Sequence, residues 1–334
     1  MLRMSPPYPT ERTVALEAVR IAATVCQAVQ ANLVDAQTIA KKDRSPVTVA
    51  DFASQAVVCA KLAEVLPNDP VVGEEGTGQL RQDDQRPLLK LITQHVAEAL
   101  GRHVAEDQVL AWIDCGGAEP PSGGPSGGRY WTLDPIDGTK GFLRGEQYAI
   151  ALALIEDGQV VLSVLGCPNL PARDRTGVLM LAIRGRGAWA MPLAGDDAQQ
   201  TIAVSTVTDP AAARFCESVE SGHSNQSDSA RIAEYLGITA EPLRMDSQCK
   251  YAAVARGDAS IYLRMPTSAA YREKIWDHAA GMLVVEEAGG RVTDVTGKPL
   301  DFTHGRKLEQ NRGIIATNGR IHDAVVAAVQ AVVA

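Results

Sequence analysis

The sequence predicts an α/β protein in two parts, an α+β unit over residues 1–192 and a smaller α/β unit over 193–334. Three observations carry this. Helical periodicity dominates the first hundred residues. Consecutive β-rich runs follow, from Tyr148 to Met191. Beyond Leu193, strand-like and helix-like segments alternate. With 334 residues, 46% of them hydrophobic, the chain has material for two compact units.

In the first part, Val14, Ala18, Ile21, Val25, Val29 and Leu33 recur at the three-to-four spacing of an amphipathic helix. A second helix is predicted from Val49 to Leu66, stopped by Pro67 and Asn68. Val71 and Val72 read as a short strand ending at Gly73. Leu88–Leu110 is helical with a break at Gly101. Residues 116–128, rich in Gly, Pro and Ser, read as a surface loop, with a lid as the sharper alternative. Tyr148–Ile155 and Gln159–Leu165 flank an Asp-Gly turn and read as a hairpin. Val178–Ile183 and Ala188–Met191 continue the strands. In the second part, strands are predicted at Ile202–Val204, Arg214–Glu217, Leu243–Met245, Ser260–Leu263 and Gly313–Ala316. Helices are predicted at Asp228–Leu236, Gln248–Ala255, Trp276–Ala288 and Ile321–Val333. Arg256-Gly257-Asp258 spells an adhesion tripeptide, but it falls where a helix stops at glycine.

The 32 basic and 40 acidic residues give a formal net charge of −8, which opposes binding to nucleic acid or a membrane surface. No apolar run reaches the roughly 18 residues of a membrane span. Six widely spaced cysteines without a C-x-x-C pair read as reduced thiols. The expected location is the cytoplasm, or an organelle if a transit peptide precedes this sequence.

The densest chemical signal is Trp131-Thr132-Leu133-Asp134-Pro135-Ile136-Asp137-Gly138-Thr139. Pro135 disfavours continuation as a ladder strand, so the chain turns and both carboxylates can face one point. Two carboxylates this close repel unless neutralised, and oxygen ligands suit magnesium. Backbone N–H groups after the turn, at a helix start, suit phosphate. Alone, the motif also fits a solvated Asx turn. Glu74, in Gly73-Glu74-Glu75-Gly76, alone fits a loop carboxylate, and Asp277, in Trp276-Asp277-His278, a helix-start acid facing the dipole.

Together, in this order and spacing, the three segments resemble the metal-site motifs of the inositol monophosphatase superfamily. Further stretches resemble its 3′(2′),5′-bisphosphate nucleotidase branch: Thr48-Val49-Ala50-Asp51, Asp137 through Gln147, Gly166 through Leu170, Ser221-Gly222-His223-Ser224, Asp246 through Tyr251, Tyr262-Leu263-Arg264 and Glu273 through Asp277. Inositol monophosphatases typically carry Thr-Asn-Phe where this chain has Lys140-Gly141-Phe142 after Asp137-Gly138-Thr139.

The resemblance implies a layered α/β/α/β/α sandwich of the inositol monophosphatase and fructose-1,6-bisphosphatase type, with the site between the two parts. It implies Mg2+ as cofactor, two ions or three. Glu74, Asp134 and the Ile136 carbonyl would hold one, and Asp134, Asp137 and Asp277 the second. A third, weaker ion would sit near Glu74. Asp51 and Thr139 would orient the attacking water, a role that competes with a capping role for Asp51. Gly138, Thr139, His223, Ser247, Lys250, Arg264 and Asp277 would contact substrate, though His223 also fits a loop histidine and Lys250 and Arg264 solvated charges. The implied partner is a small bisphosphate nucleotide: adenosine 3′,5′-bisphosphate, with 3′-phosphoadenosine 5′-phosphosulfate as a second substrate. Lithium inhibition is expected, and a monomer is favoured over an oligomer. The alternatives are an inositol polyphosphate 1-phosphatase and a non-catalytic nucleotide sensor.

Overall fold

A computed structural model describes residues 7–36, 45–120, 128–172, 175–195, 198–219, 226–266, 268 and 270–333. Its elements run α1 (Pro9–Ala36), α2 (Ser45–Val65), β1 (Val71–Gly73), α3 (Arg86–Leu100), α4 (Glu106–Cys115), β2 (Arg129–Asp137), α5 (Thr139–Leu143), β3 (Ala149–Glu156), β4 (Gln159–Pro171), β5 (Thr176–Ile183), β6 (Gly187–Pro192) and β7 (Gln200–Thr201). They continue with β8 (Phe215–Glu217), α6 (Gln226–Leu236), β9 (Leu243–Arg244), α7 (Cys249–Ala255), β10 (Ile261–Arg264), α8 (Ala279–Glu287), β11 (Arg291–Thr293), β12 (Ile314–Thr317) and α9 (His322–Val333).

The first seven strands form one sheet in sequence order, β1 parallel to β2 and the rest antiparallel. The second sheet has the order β11-β12-β10-β8-β9. Strand periodicity sorts the first sheet's side chains onto two faces. Ile150, Leu152 and Leu154 pack with Val19, Ala22 and Cys26 of α1 and Ala53 and Val57 of α2. Ala149, Ala151 and Ala153 point the other way, into a second core shared with α7, α8 and the second sheet's Cys216, Tyr262, Ile314 and Ala316. These alanines leave room for α7 and α8, which are buried almost all round, as the middle layer of a sandwich demands. Gly281 lets α8 approach Tyr251, whose ring lies 2.3 Å from where a Cβ would stand. On the far face of the second sheet, Ile261 and Ile315 pack with Ile232 of α6 and Val325 and Val329 of α9. Helices, sheet, helices, sheet, helices: this is the five-layer arrangement expected.

The helices and hairpin stand close to their predicted positions. Asp157 and Gly158 both take positive φ, 49° and 76°, as a tight hairpin turn requires. Gly101 ends α3 in the left-handed conformation. Four expectations need correction. β2 does not stop at Pro135; it continues to Asp137 through a register shift, so the proline bulges the strand rather than ending it. Ile202–Val204 is not a strand. Its N–H groups switch partners, Ile202 bonding Ala188 O (3.1 Å) and Val204 bonding Ala288 O (3.0 Å), so no ladder forms. α8 starts at Ala279, which leaves Trp276 and Asp277 in the preceding turn. Finally, Pro9–Asn32 of α1 is long and apolar enough to cross a membrane by length and composition, but more than half of the stretch is buried in the core. All six cysteines are free; five are buried and Cys115 is exposed.

His322 is fully buried between two hydroxyls, Nε2 lying 2.9 Å from Thr293 Oγ1 and Nδ1 2.9 Å from Thr317 Oγ1. Burial, then Arg291, lower its pKa to about 4. The folded state therefore binds this proton more weakly than the unfolded chain. The stability it contributes is complete above the unfolded histidine pKa and is lost as pH falls toward about 4. His322→Gln is expected to flatten the acid limb of a urea-unfolding series by about 2 kcal/mol between neutral and mildly acidic pH. An unchanged acid limb would refute this assignment.

Candidate active site

The β2 bulge brings Asp134, Ile136 and Asp137 to one end of the strand. There they line a cleft of about 670 Å³ with Glu74, Gly138, Thr139, Asp246, Ser247, Lys250, Tyr262, Arg264 and Asp277. Sequence reasoning drew these residues from segments two hundred positions apart, and the fold gathers them on one surface.

The backbone aims each carboxylate. Asp134 Oδ1 accepts the Ile136 N–H (3.1 Å), an Asx turn that fixes its side chain. Asp137 Oδ2 accepts the Gln248 N–H at 2.5 Å, joining β2 to the start of α7. Gly138 has φ 89°, and a Cβ there would lie 2.7 Å from Ser247 Cβ; only glycine fits. Ser247 itself has φ 68°, and its Oγ accepts the Cys249 N–H (3.1 Å) to open α7.

Electrostatically the cleft is unbalanced. Burial, then Glu74, Asp137 and Asp277, push the Asp134 carboxyl well above its ordinary pKa. Asp137 is raised by burial, opposed by Lys250 and Arg264. Burial, Glu75 and Asp137 lift Glu74 at the mouth to about 7, and Asp277 also rises to about 7 through burial against the relief of His278, with Asp137 and Glu74 adding to the rise. Four oxygen-donor carboxylates that disfavour each other's ionised forms, with a carbonyl beside them, fit hard divalent cations. Asp51 lies 7% exposed in α2 behind this cluster, its pKa raised well above normal by burial, Glu75 and Glu74. Among the described residues, no hydrogen bond joins Asp51 to Thr139, which is exposed at the cleft.

Lys250 and Arg264 form the facing wall. Lys250 is 4% exposed, with Nζ 5.2 Å from the Tyr262 ring centre; burial pulls its pKa down and Asp137 opposes this. Neither is the solvated surface charge that each alone could have been. Arg264 Nε donates to Glu273 Oε2 at 2.8 Å. Glu273 Oε2 is also 3.2 Å from His278 Nε2, and His278 Nδ1 is 2.8 Å from the Tyr251 hydroxyl. Burial works to raise the Glu273 pKa, but His278 and Arg264 outweigh it and hold it low. The ligand atoms of Glu273, Asp277 and His278 lie within 4.8 Å of one another, yet the Arg264 cation already neutralises Glu273. The predicted contact His223 lies outside the described residues.

Sequence reasoning missed the residues that hold the site's backbone. Gln55 donates from Nε2 to Glu75 O and Ile113 O, both 2.8 Å, and accepts the Glu75 N–H, so it shapes the turn that carries Glu74. Gln248 donates to Trp276 O (2.9 Å) and accepts the Gly281 N–H (2.9 Å), tying α7 to the turn that bears Asp277. Arg306 donates to Ala118 O (2.9 Å) and Gly73 O, its guanidinium 4.8 Å from the Trp276 ring centre. Buried, uncharged glutamines were the only available signal for the first two.

Comparison with known proteins places the chain among relatives of one family. Similar chains include a 3′(2′),5′-bisphosphate nucleotidase of Schizosaccharomyces pombe, 45% identical over 97% of this chain and 96% of that one. One from Oryza sativa is 46% identical over 97% and 94%. Among solved structures, an Anabaena inositol monophosphatase shares the fold with a TM-score of 0.62 at 21% identity, covering 96% of this chain and 95% of that one. The model of the inositol monophosphatase family matches residues 10–334, and the chain belongs to that family.

Proposed function

We propose that the protein is a magnesium-dependent 3′(2′),5′-bisphosphate nucleotidase. It hydrolyses the 3′-phosphate of adenosine 3′,5′-bisphosphate to AMP and phosphate, and takes 3′-phosphoadenosine 5′-phosphosulfate as a second substrate. One observation carries the reading: four mutually repelling carboxylates share a cleft with a buried Lys250 and Arg264, a metal centre beside a second anion site. The relatives with that name, at 45–46% identity over nearly the whole chain, support it.

Glu74, Asp134, Asp137, Asp277 and the Ile136 carbonyl would hold the magnesium ions. When bound, these supply a water of lowered pKa and neutralise charge on the phosphoryl group. Asp51 accepts the water's proton; its burial gives it the raised basicity that task needs. Thr139 orients the water through its hydroxyl. The water oxygen forms a bond to phosphorus as the bond to the 3′-oxygen breaks, and that oxygen leaves as a hydroxyl after gaining a proton from solvent, to which Asp51 returns the one it took. Lys250 and Arg264 hold the 5′-phosphate, the arginine as a fork and the lysine as a point charge. Ser247 and His223 add nucleotide contacts. Lithium is expected to inhibit by taking a magnesium position, and a monomer suffices.

The test is phosphate release from adenosine 3′,5′-bisphosphate and, in parallel, inositol 1,4-bisphosphate, with magnesium and with EDTA. The nucleotide is the expected preferred substrate, and chelation is expected to lower its turnover by at least about 100-fold. Preference for the inositol compound would keep the metal centre and discard the nucleotide assignment. No release from either would favour a nucleotide sensor.

A further inference from the structure

We propose that Arg306 is a positioning residue for the metal centre, setting the separation of Glu74 and Asp277 from opposite halves of the chain. The inference rests on the reading that these two carboxylates hold cations. Arg306 touches the residue immediately before each of them. Its Nη2 donates to the Gly73 carbonyl, next to Glu74, and its guanidinium lies 4.8 Å from the ring centre of Trp276, next to Asp277.

Its second donor, Nη1, reaches Ala118 O at 2.9 Å. The two carbonyls belong to segments already paired with each other: Gly73 N–H bonds Gly116 O (2.7 Å) and Ala118 N–H bonds Val71 O (3.2 Å). One planar fork therefore closes over β1 and the segment already bridged to it. A lysine ammonium at this place lacks that rigid fork.

The backbone of the same segment grips the other ligand's turn. Ile275 N–H bonds Arg306 O (3.2 Å), Leu308 N–H bonds Glu273 O (2.9 Å), and Lys274 pairs with Lys307 in an antiparallel bridge. Residues 306–308 thus form a strap: main chain on the Asp277 side, side chain on the Glu74 side. Ligands held at a fixed distance bind a small octahedral cation without reorganising.

The experiment measures Mn2+ binding directly, by electron paramagnetic resonance of the free ion, on the full chain and its variants. Arg306→Ala is expected to weaken Mn2+ binding about tenfold or more, the usual size for supporting groups around a metal site, with Arg306→Lys in between. The Mg2+ concentration for half-maximal turnover should rise in step, while the nucleotide KM at saturating Mg2+ stays within about twofold of wild type. Arg129→Ala is the control for stability alone. Arg129 pairs with Glu11, Asp69 and Glu156 at the far end of β2, so its loss should lower Tm and leave Mn2+ affinity intact. Lowered Tm with unchanged Mn2+ affinity in the Arg306 variants would make the strap purely structural and overturn the proposal. Should Arg306→Ala not fold, the Arg306→Lys affinity decides by the same criterion. A wild-type protein that binds no Mn2+ would instead sink the metal reading, and this inference with it.

Discussion

Asp137→Asn is expected to lower turnover at least about 1,000-fold, equivalent to about 4 kcal/mol in the barrier, and to raise the Tm of the metal-free protein. The substitution isolates charge. Asparagine keeps an oxygen that can accept the Gln248 N–H, so the link from β2 to α7 survives. What is lost is one negative charge among Glu74, Asp134 and Asp277. Without a cation that charge is a burden, its burial only partly offset by Lys250 and Arg264, and its removal should raise the stability of the metal-free protein at mildly alkaline pH.

The pH dependence has a definite sign. Carboxylates whose folded pKa is raised bind protons more tightly in the native state, so their contribution to stability falls as pH rises from the ordinary carboxylate range through the folded values, about 7 for Glu74 and Asp277. Magnesium cancels the repulsion. The gain in Tm on adding magnesium should therefore be small near pH 5 and large near pH 8, and should largely vanish in Asp137→Asn at both. Thermal unfolding with magnesium or EDTA at these two pH values checks this. A magnesium-induced gain independent of pH would contradict the carboxylate-cluster account.

The second large effect concerns substrate. Arg264→Ala is expected to raise the KM for adenosine 3′,5′-bisphosphate about 30- to 100-fold, or about 2–3 kcal/mol for a lost charge-assisted fork. A nucleoside 3′-monophosphate lacks the phosphate that Arg264 would hold, so its KM should change little. Glu273 takes Nε of the guanidinium, at 2.8 Å, and the Tyr271 hydroxyl accepts only a long 3.4 Å bond from Nη2, a weak contact that a phosphate at the cleft would displace. The truncation also leaves Glu273 with His278 alone, so some loss of Tm should accompany it. Steady-state kinetics on the two substrates decide the matter. Equal losses on both would place Arg264 in support of the metal centre instead.

Much of this site was legible because its chemistry is local in sequence. Asp134 and Asp137 stand out because a proline and a glycine beside them mark a local departure from regular strand, although the strand continues through a bulge where a turn was expected. The five-layer sandwich followed from the family resemblance, and the apolar run Ala279–Val285 of α8 fits its buried middle layer. What sequence could not give are contacts made through backbone carbonyls across long separations. Nothing around Arg306 says that its side chain ends at Gly73, and nothing around Gln55 says that it holds Glu75. The two-to-four-residue strands of the second sheet sit at the limit of any periodicity. β11, three residues long, escaped notice, and Ile202–Val204 looked like a strand from its β-branched residues, whereas the N–H groups of Ile202 and Val204 bond different partners.

The core shared between the two sheets has a consequence for synthesis. Ala149, Ala151 and Ala153 present a bare sheet face until Cys249–Ala255 and Ala279–Glu287 arrive to cover it. At ribosomal speeds of about 5–20 residues per second, the nascent sheet waits roughly 5–20 seconds with one side open to water. Over that interval the growing chain is a client for chaperones, and any stall in translation before α8 emerges leaves a half-made sandwich prone to aggregate.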